Sequence, residues 1–184
     1  MASVLVPLAP GFEELEAVTI IDLLVRAGIE VVSAGLAPGA VKASRGVVIN
    51  PDMDLDEALT RDFDMVVLPG GLPGADHLNS DLRIQKLIKT MADSGKYTAA
   101  ICAAPRVLAN LGLLEGKSAT SYPGTLEQME LNNTQISQQS VVCDGNVITS
   151  RGPGTAMDFA LTLIEILVSR DKRDEVAKGL LYAH

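Results

Sequence analysis

The sequence predicts a doubly wound α/β sandwich, a mostly parallel sheet with helices on both faces and one added antiparallel hairpin. Three observations predict it. Short apolar segments of strand length alternate with stretches whose apolar residues recur at helical spacing. The strand-like segments end on loops rich in Gly and Pro. Late in the chain, Asp144-Gly145-Asn146 separates two alternating segments, a strong hairpin signal. With 184 residues, 47% of them hydrophobic, the chain fills one core and is too short for two ordinary domains, so residues 1–184 read as a single domain.

In chain order, Val4–Leu8 reads as a buried strand, Ala9-Pro10-Gly11-Phe12 as a turn, and Glu13–Ala27 as a helix stopped by Gly28. Leu15, Val18, Ile21, Leu24 and Val25 supply the helical periodicity. Ile29–Ala34 is the next strand, completing a βαβ unit and implying parallel pairing. Between Gly35 and Thr60 the Gly and Pro content rises; Gly46–Ile49 is β-like and Asp54–Ala58 begins a short helix. Phe63–Leu68 reads as a central strand ending abruptly at Pro69-Gly70-Gly71. Asp81–Met91 is helical by period, Tyr97–Ile101 is a strand, and Ala103–Leu111 is a helix closed by Gly112, which leaves Cys102 on the junction. Val141–Cys143 and Val147–Thr149 are the hairpin arms. Gly152-Pro153-Gly154-Thr155 opens a long apolar helix to about Val168, and Lys172–Tyr182 is a final helix with Val176, Leu180 and Leu181 on one side.

Composition narrows the function. A formal net charge of −8 and a pI near 4.7 oppose binding to phosphate backbones, and 3% aromatic residues without Trp leave few stacking platforms. Nucleic acid is therefore not an expected partner. Met1-Ala2-Ser3 runs straight into a strand with no basic n-region, and no apolar run reaches the roughly 18 residues of a membrane span, so a soluble cytoplasmic protein without membrane contact is expected. Two cysteines do not make a disulfide framework and are expected to be reduced.

Three segments end at the carboxyl edge of the predicted sheet, where doubly wound folds form their sites: the loop leading to Glu16, the Gly70-Gly71 loop, and the elbow Ala100-Ile101-Cys102-Ala103-Ala104-Pro105. A thiol just ahead of a helix N-terminus is expected to ionise more readily than a free one. By analogy with the hydrolase elbow, the N–H groups of Ala103 and Gly71 would face a developing oxyanion. Glu16, in the first turn of a helix rising from the same edge, is the acid/base candidate, with a raised pKa if it faces the sulfur in a desolvated pocket. Glu13, Glu14 and Glu16 also read as a solvated acidic first turn, and Cys102 as a small core residue. Cys143, on a hairpin arm, reads as structural. Of the two histidines, His184 is the last residue and His77 follows Pro73-Gly74-Ala75-Asp76 in what reads as a surface loop, so a Cys–His triad is poorly supported. The Cys and His residues have no metal-ligand spacing, and no metal is expected.

Gly11–Glu16, Ser44–Val47, Val67–Gly71, Ala99–Pro105 and Thr149–Thr155, five separated motifs in order, together resemble the ThiJ/PfpI superfamily, and within it the branch of the Parkinson-disease-associated deglycases. The resemblance spans essentially the whole chain. It implies a flavodoxin-like fold, a homodimer, no cofactor, and an elbow cysteine, Cys102, hydrogen-bonded by a protonated Glu16, with Gly71 and Ala103 as backbone donors and Gly70 beside them. It further implies glyoxalase or deglycase chemistry on methylglyoxal, glyoxal or glycated protein, or an oxidative-stress sensor or chaperone role for the same sulfur. Arg45 matches an arginine near the family's site, Arg26 one contributed across the dimer, and Tyr122 stands where relatives often carry histidine.

Overall fold

The computed structural model describes residues 1–182; His184, and the fading of the last helix at Ala183, lie outside the described residues. The elements run β1 (Ser3–Leu8), α1 (Glu14–Arg26), β2 (Glu30–Gly35), β3 (Val41–Lys42), β4 (Val48–Ile49), β5 (Met53–Asp54), α2 (Leu55–Ala58), β6 (Met65–Leu68), α3 (Gly74–Ser80) and α4 (Leu82–Asp93). They continue with β7 (Tyr97–Ile101), α5 (Pro105–Asn110), β8 (Ser118–Ala119), β9 (Gln135–Ile136), β10 (Val141–Asp144), β11 (Val147–Ser150), a 3-10 turn (Pro153–Thr155), α6 (Ala156–Leu167) and α7 (Arg170–Gly179).

The main sheet has seven strands in the order β10-β11-β7-β6-β1-β2-β5. All pairs are parallel except β10 with β11, whose register runs from Val141 opposite Ser150 to Asp144 opposite Val147. The doubly wound sandwich and its antiparallel hairpin are thus present. Strand periodicity divides the core into two layers. Val4, Val6 and Leu8 of β1, Met65 and Val67 of β6 and Ala99 and Ile101 of β7 face the layer containing α1, α6 and α7. Their alternates Leu5, Val66, Leu68 and Ala100 face the layer containing α2, α4 and α5. Because both faces are covered, β6 is apolar throughout and β1 and β7 are apolar beyond their first one or two residues.

Several boundaries differ from the sequence reading, each for a local reason. Asp54 and Asp81 are N-caps rather than helical residues: their carboxylates accept the Glu57 and Arg83 N–H groups. Ser169 caps α7 in the same way, so that helix starts at Arg170 rather than Lys172 and ends at Gly179. The stretch from Pro73 to His77, read as a surface loop, enters α3 at Gly74, and His77 lies on that helix with Nδ1 2.9 Å from the Pro10 carbonyl. The helix expected from Ala103 begins at Pro105, after a turn over Cys102–Ala104. On α1, Ala17, Ile20, Leu23 and Leu24 are buried, whereas Leu15, Val18 and Val25 of the expected apolar stripe are about half exposed. The buried face of α1 includes Glu16.

Candidate active site

Cys102 follows the last residue of β7 and is one of three non-Gly residues with positive φ among the described residues, at 64°. For a residue with a Cβ this left-handed conformation is strained, and it persists only where the surroundings impose it. Here they hold it from two sides. The Cys102 N–H donates to the Ser150 carbonyl at 3.0 Å and the Cys102 carbonyl accepts the Tyr122 N–H at 2.8 Å. Ser150 is itself fully buried; its hydroxyl bonds the Ser140 carbonyl at 2.8 Å and the Thr155 hydroxyl at 2.7 Å. This clamp was not legible in the sequence, although Ser150 and Thr155 belong to the Thr149–Thr155 motif.

The same local geometry turns the thiol toward the Gly70-Gly71 loop and α1. The Gly70 N–H donates to Glu16 Oε2 at 2.8 Å, and the Gly70 carbonyl accepts the Glu13 N–H at 2.9 Å, so loop and helix start are latched together. Gly70 must be Gly: a Cβ there would lie 2.6 Å from Cys102 Cβ and 2.8 Å from Glu16 Oε2. Gly71, at φ 87°, is equally confined, since a Cβ would lie 2.4 Å from the Glu13 nitrogen. The N–H groups of Gly71 and Ala103 are directed at the Cys102 sulfur itself. Glu16 is fully buried, and its Oε1 finds no N–H or O–H donor. The remaining interaction of the carboxyl is with the Cys102 thiol.

Burial raises the Glu16 carboxyl to about 7, against the opposing pull of the Gly70 N–H. With Glu16 ionised, the Cys102 thiol is pushed up to about 12, first by burial and then by that negative charge, while the Gly71 and Ala103 N–H groups pull it down, so this describes the second proton of the pair. This corrects the expectation of a simple helix-terminus activation. The helix begins three residues beyond Cys102, and desolvation together with the carboxylate outweighs the dipole. Two anions in contact in a dry site repel, so the pair keeps one proton over a wide pH range. Two N–H groups face the sulfur and one faces the carboxyl, which favours placing the single negative charge on sulfur and the proton on Oε1.

Other expected site residues lie further out. Tyr122 is about half exposed; its ring packs on Gly152, where a Cβ would come within 3.2 Å of Cδ2. Among the described residues, neither Arg45 nor Arg26 has a side-chain hydrogen bond to Cys102 or Glu16. Arg45 is exposed, with its main-chain N–H on the Glu14 carboxylate at 3.0 and 3.1 Å, and Arg26 pairs with Asp22 at 2.7 Å on the surface of α1. Cys143 is exposed on β10, the sheet edge. No group of three or more His, Cys, Asp or Glu among the described residues is placed to hold a metal ion. No helix among them is long and apolar enough to cross a membrane. Beside the elbow opens a cleft of about 520 Å³, bordered by Leu72, Ala103, Arg106, Asn110, Tyr122 and Gln128 among others. Of these, Leu72, Arg106, Asn110 and Gln128 were missed; for Arg106 and Asn110 the signal is their spacing of four along α5, starting four residues after Cys102.

Fold and site define a class: flavodoxin-like α/β proteins with an elbow cysteine backed by a buried carboxyl. The chain belongs to the DJ-1/PfpI family, whose model matches residues 2–166. It is 50% identical over 183 residues to protein dj-1beta of Drosophila melanogaster, covering 99% of this chain and 98% of that protein. The crystal structure of Drosophila DJ-1beta matches it with a TM-score of 0.95 at 49% identity, covering 100% of this chain and 99% of the other. A glutathione-independent glyoxalase of Caenorhabditis elegans is 36% identical over 171 residues, with 93% and 91% of the two chains covered. Oxidized Toxoplasma gondii DJ-1 matches over the full length of both chains with a TM-score of 0.95 and 39% identity.

Proposed function

We propose that the protein is a cysteine-dependent glyoxalase or deglycase that needs no cofactor and acts in the cytoplasm on methylglyoxal, glyoxal or their early adducts on protein. The observation that carries this reading is the strained Cys102 elbow, whose sulfur meets two backbone N–H groups and a buried carboxyl of raised pKa. The thiolate adds to the aldehyde carbon, forming a C–S bond, and the carbonyl electron pair becomes an alkoxide that takes the proton of Glu16. The Glu16 carboxylate then removes the hydrogen of that carbon as a proton and returns it to the neighbouring carbonyl carbon through an enediol. The first carbon is oxidised by two electrons and the second reduced by two. Water cleaves the resulting thioester to a 2-hydroxy acid and regenerates Cys102. In this reading Gly71 and Ala103, the backbone donors at the sulfur, also hold the alkoxide formed beside it. Purified wild type is expected to form lactate from methylglyoxal with no added cofactor; lactate formation by Cys102→Ala at the wild-type rate would sink this mechanism.

A second reading, redox sensing or a redox-regulated chaperone role, uses the same sulfur, which Glu16 and the two N–H groups would stabilise as a sulfinate. The similarity to a DJ-1 solved in oxidized form favours keeping it. Peroxide titration read by intact mass separates the two: oxygen added selectively at Cys102 supports it, and unselective uptake counts against it.

Self-association with a second copy completes the proposal. Leu15, Val18 and Val25 on α1 and Val47 and Val48 on the β3–β4 ribbon are each 48–59% exposed. The two patches are joined, because the Glu14 carboxylate accepts the Arg45 and Val47 N–H groups. A continuous apolar face of this kind suits an isologous dimer. Sedimentation of wild type as a dimer, and of Val18→Lys as a monomer, is the expected result.

A further inference from the structure

We infer that the cleft beside the elbow is a subsite for the hydroxylated tail of a longer 2-oxoaldehyde, of the five- or six-carbon kind derived from sugars, and that this class is the preferred substrate. The inference rests on the glyoxalase reading and specifies its substrate. The cleft adjoins the reacting residue: Ala103, next in the chain to Cys102, borders it, and so does Leu72, next to Gly71. At about 520 Å³ it far exceeds a three-carbon oxoaldehyde, whose heavy atoms each displace no more than about the 30 Å³ of a liquid water.

Its chemistry is that of a polyol site. Arg106 is tied by a salt bridge to Asp76, which lies outside the lining, so the cleft meets guanidinium N–H donors whose charge is already paired rather than a bare cation for a phosphate or carboxylate. The Asn110 amide nitrogen donates to Asn79 Oδ1 at 2.8 Å, which fixes the orientation of its carboxamide. Gln128 and the phenol of Tyr122 are exposed on the rim, and the Tyr122 ring, held on Gly152, offers a flat apolar face to the C–H bonds of a sugar-like chain. A chain of vicinal hydroxyls both donates and accepts, as this lining requires. The reaction is unchanged in balance: oxoaldehyde plus water gives the 2-hydroxy acid, with the tail a spectator.

The test compares kcat/KM for 3-deoxyglucosone, a six-carbon 2-oxoaldehyde with three hydroxyls, against methylglyoxal, in wild type and in Asn110→Ala and Gln128→Ala. The expected result is a wild-type preference for the six-carbon substrate that falls about tenfold in each variant, the scale of one lost hydrogen bond. A wild-type preference for methylglyoxal, or equal losses on both substrates, would overturn the inference. Failure of wild type on both substrates would instead overturn the glyoxalase reading, and binding then reads the cleft by itself. Ligand-observed NMR of 3-deoxyglucosone with Cys102→Ala should show contact that Gln128→Ala weakens, and no contact refutes the subsite.

Discussion

Replacing Glu16 with Gln removes the one buried carboxyl of the site while keeping its shape, and its effect on stability has a pH dependence fixed by the structure. The folded protein holds the Glu16 proton more tightly than the unfolded chain, from an ordinary 4.5 to about 7. At about 1.4 kcal/mol per pH unit this corresponds to roughly 3 kcal/mol. A carboxyl with a raised folded pKa contributes stability that is fully present below pH 4.5 and is lost as pH rises through 7. Linkage counts protons and not their location, so the result is the same whether the shared proton sits on Oε1 or on sulfur. Asp81, held low by its bond to Arg83, works in the opposite sense, its contribution being present above its unfolded pKa and lost in acid. The difference between wild type and Glu16→Gln cancels such common terms. Urea denaturation under reducing conditions from pH 4 to 8 is the assay. Glu16→Gln should match wild type within about 1 kcal/mol at the acid end and gain on it by up to about 3 kcal/mol at pH 8. Parallel stability profiles for the two proteins would refute the buried, high-pKa carboxyl.

Other outcomes follow from the same contacts. Gly70→Ala forces a methyl to within 2.6 Å of Cys102 Cβ, so it should lose about 1–3 kcal/mol of stability and displace the thiol, read as slowed Cys102 alkylation. Phe159→Ala empties a fully buried position of α6 against the sheet and should cost about 3–5 kcal/mol in chemical denaturation. Cys143→Ser, on the exposed edge strand, should change stability by no more than about 0.5 kcal/mol and leave Cys102 alkylation untouched, and a slowed rate would show that the two sulfurs communicate.

Much of the fold was legible because it is written in local patterns. The strands betray themselves by apolar runs ending in Gly and Pro, and the Asp144-Gly145 turn announces the antiparallel β10–β11 pair of the main sheet. What escaped depends on tertiary contacts. The α3 helix hides behind Pro73 and Gly74, which read as breakers, although Gly74 is forced by backbone crowding: a Cβ there would lie 2.6 Å from the Phe12 nitrogen. The inner face of α1 was obscured by an outer stripe that is itself apolar. At the site, the elbow around Cys102 was visible as a strand ending in small residues and Pro105. The burial of Glu16 was not, since three acidic residues in one helical turn look alike until the sheet covers one of them. The direction of the thiol's pKa was hidden for the same reason, because desolvation belongs to the folded chain. The polar cleft is assembled from α5 and the loop after β8, segments with no shared periodicity that meet only in the folded chain.

The measurement that bears most directly on Cys102 and Glu16 as one proton-sharing pair is the pH dependence of Cys102 alkylation by iodoacetamide, wild type beside Glu16→Gln. In wild type the reactive thiolate is expected to emerge with a midpoint at or below about 7, the pH at which the pair gives up its first proton, and well under the roughly 8.5 of a free thiol. Glu16→Gln should move that midpoint upward. A wild-type midpoint at or above that of a free peptide thiol, unchanged by Glu16→Gln, would contradict the pair and the chemistry built on it.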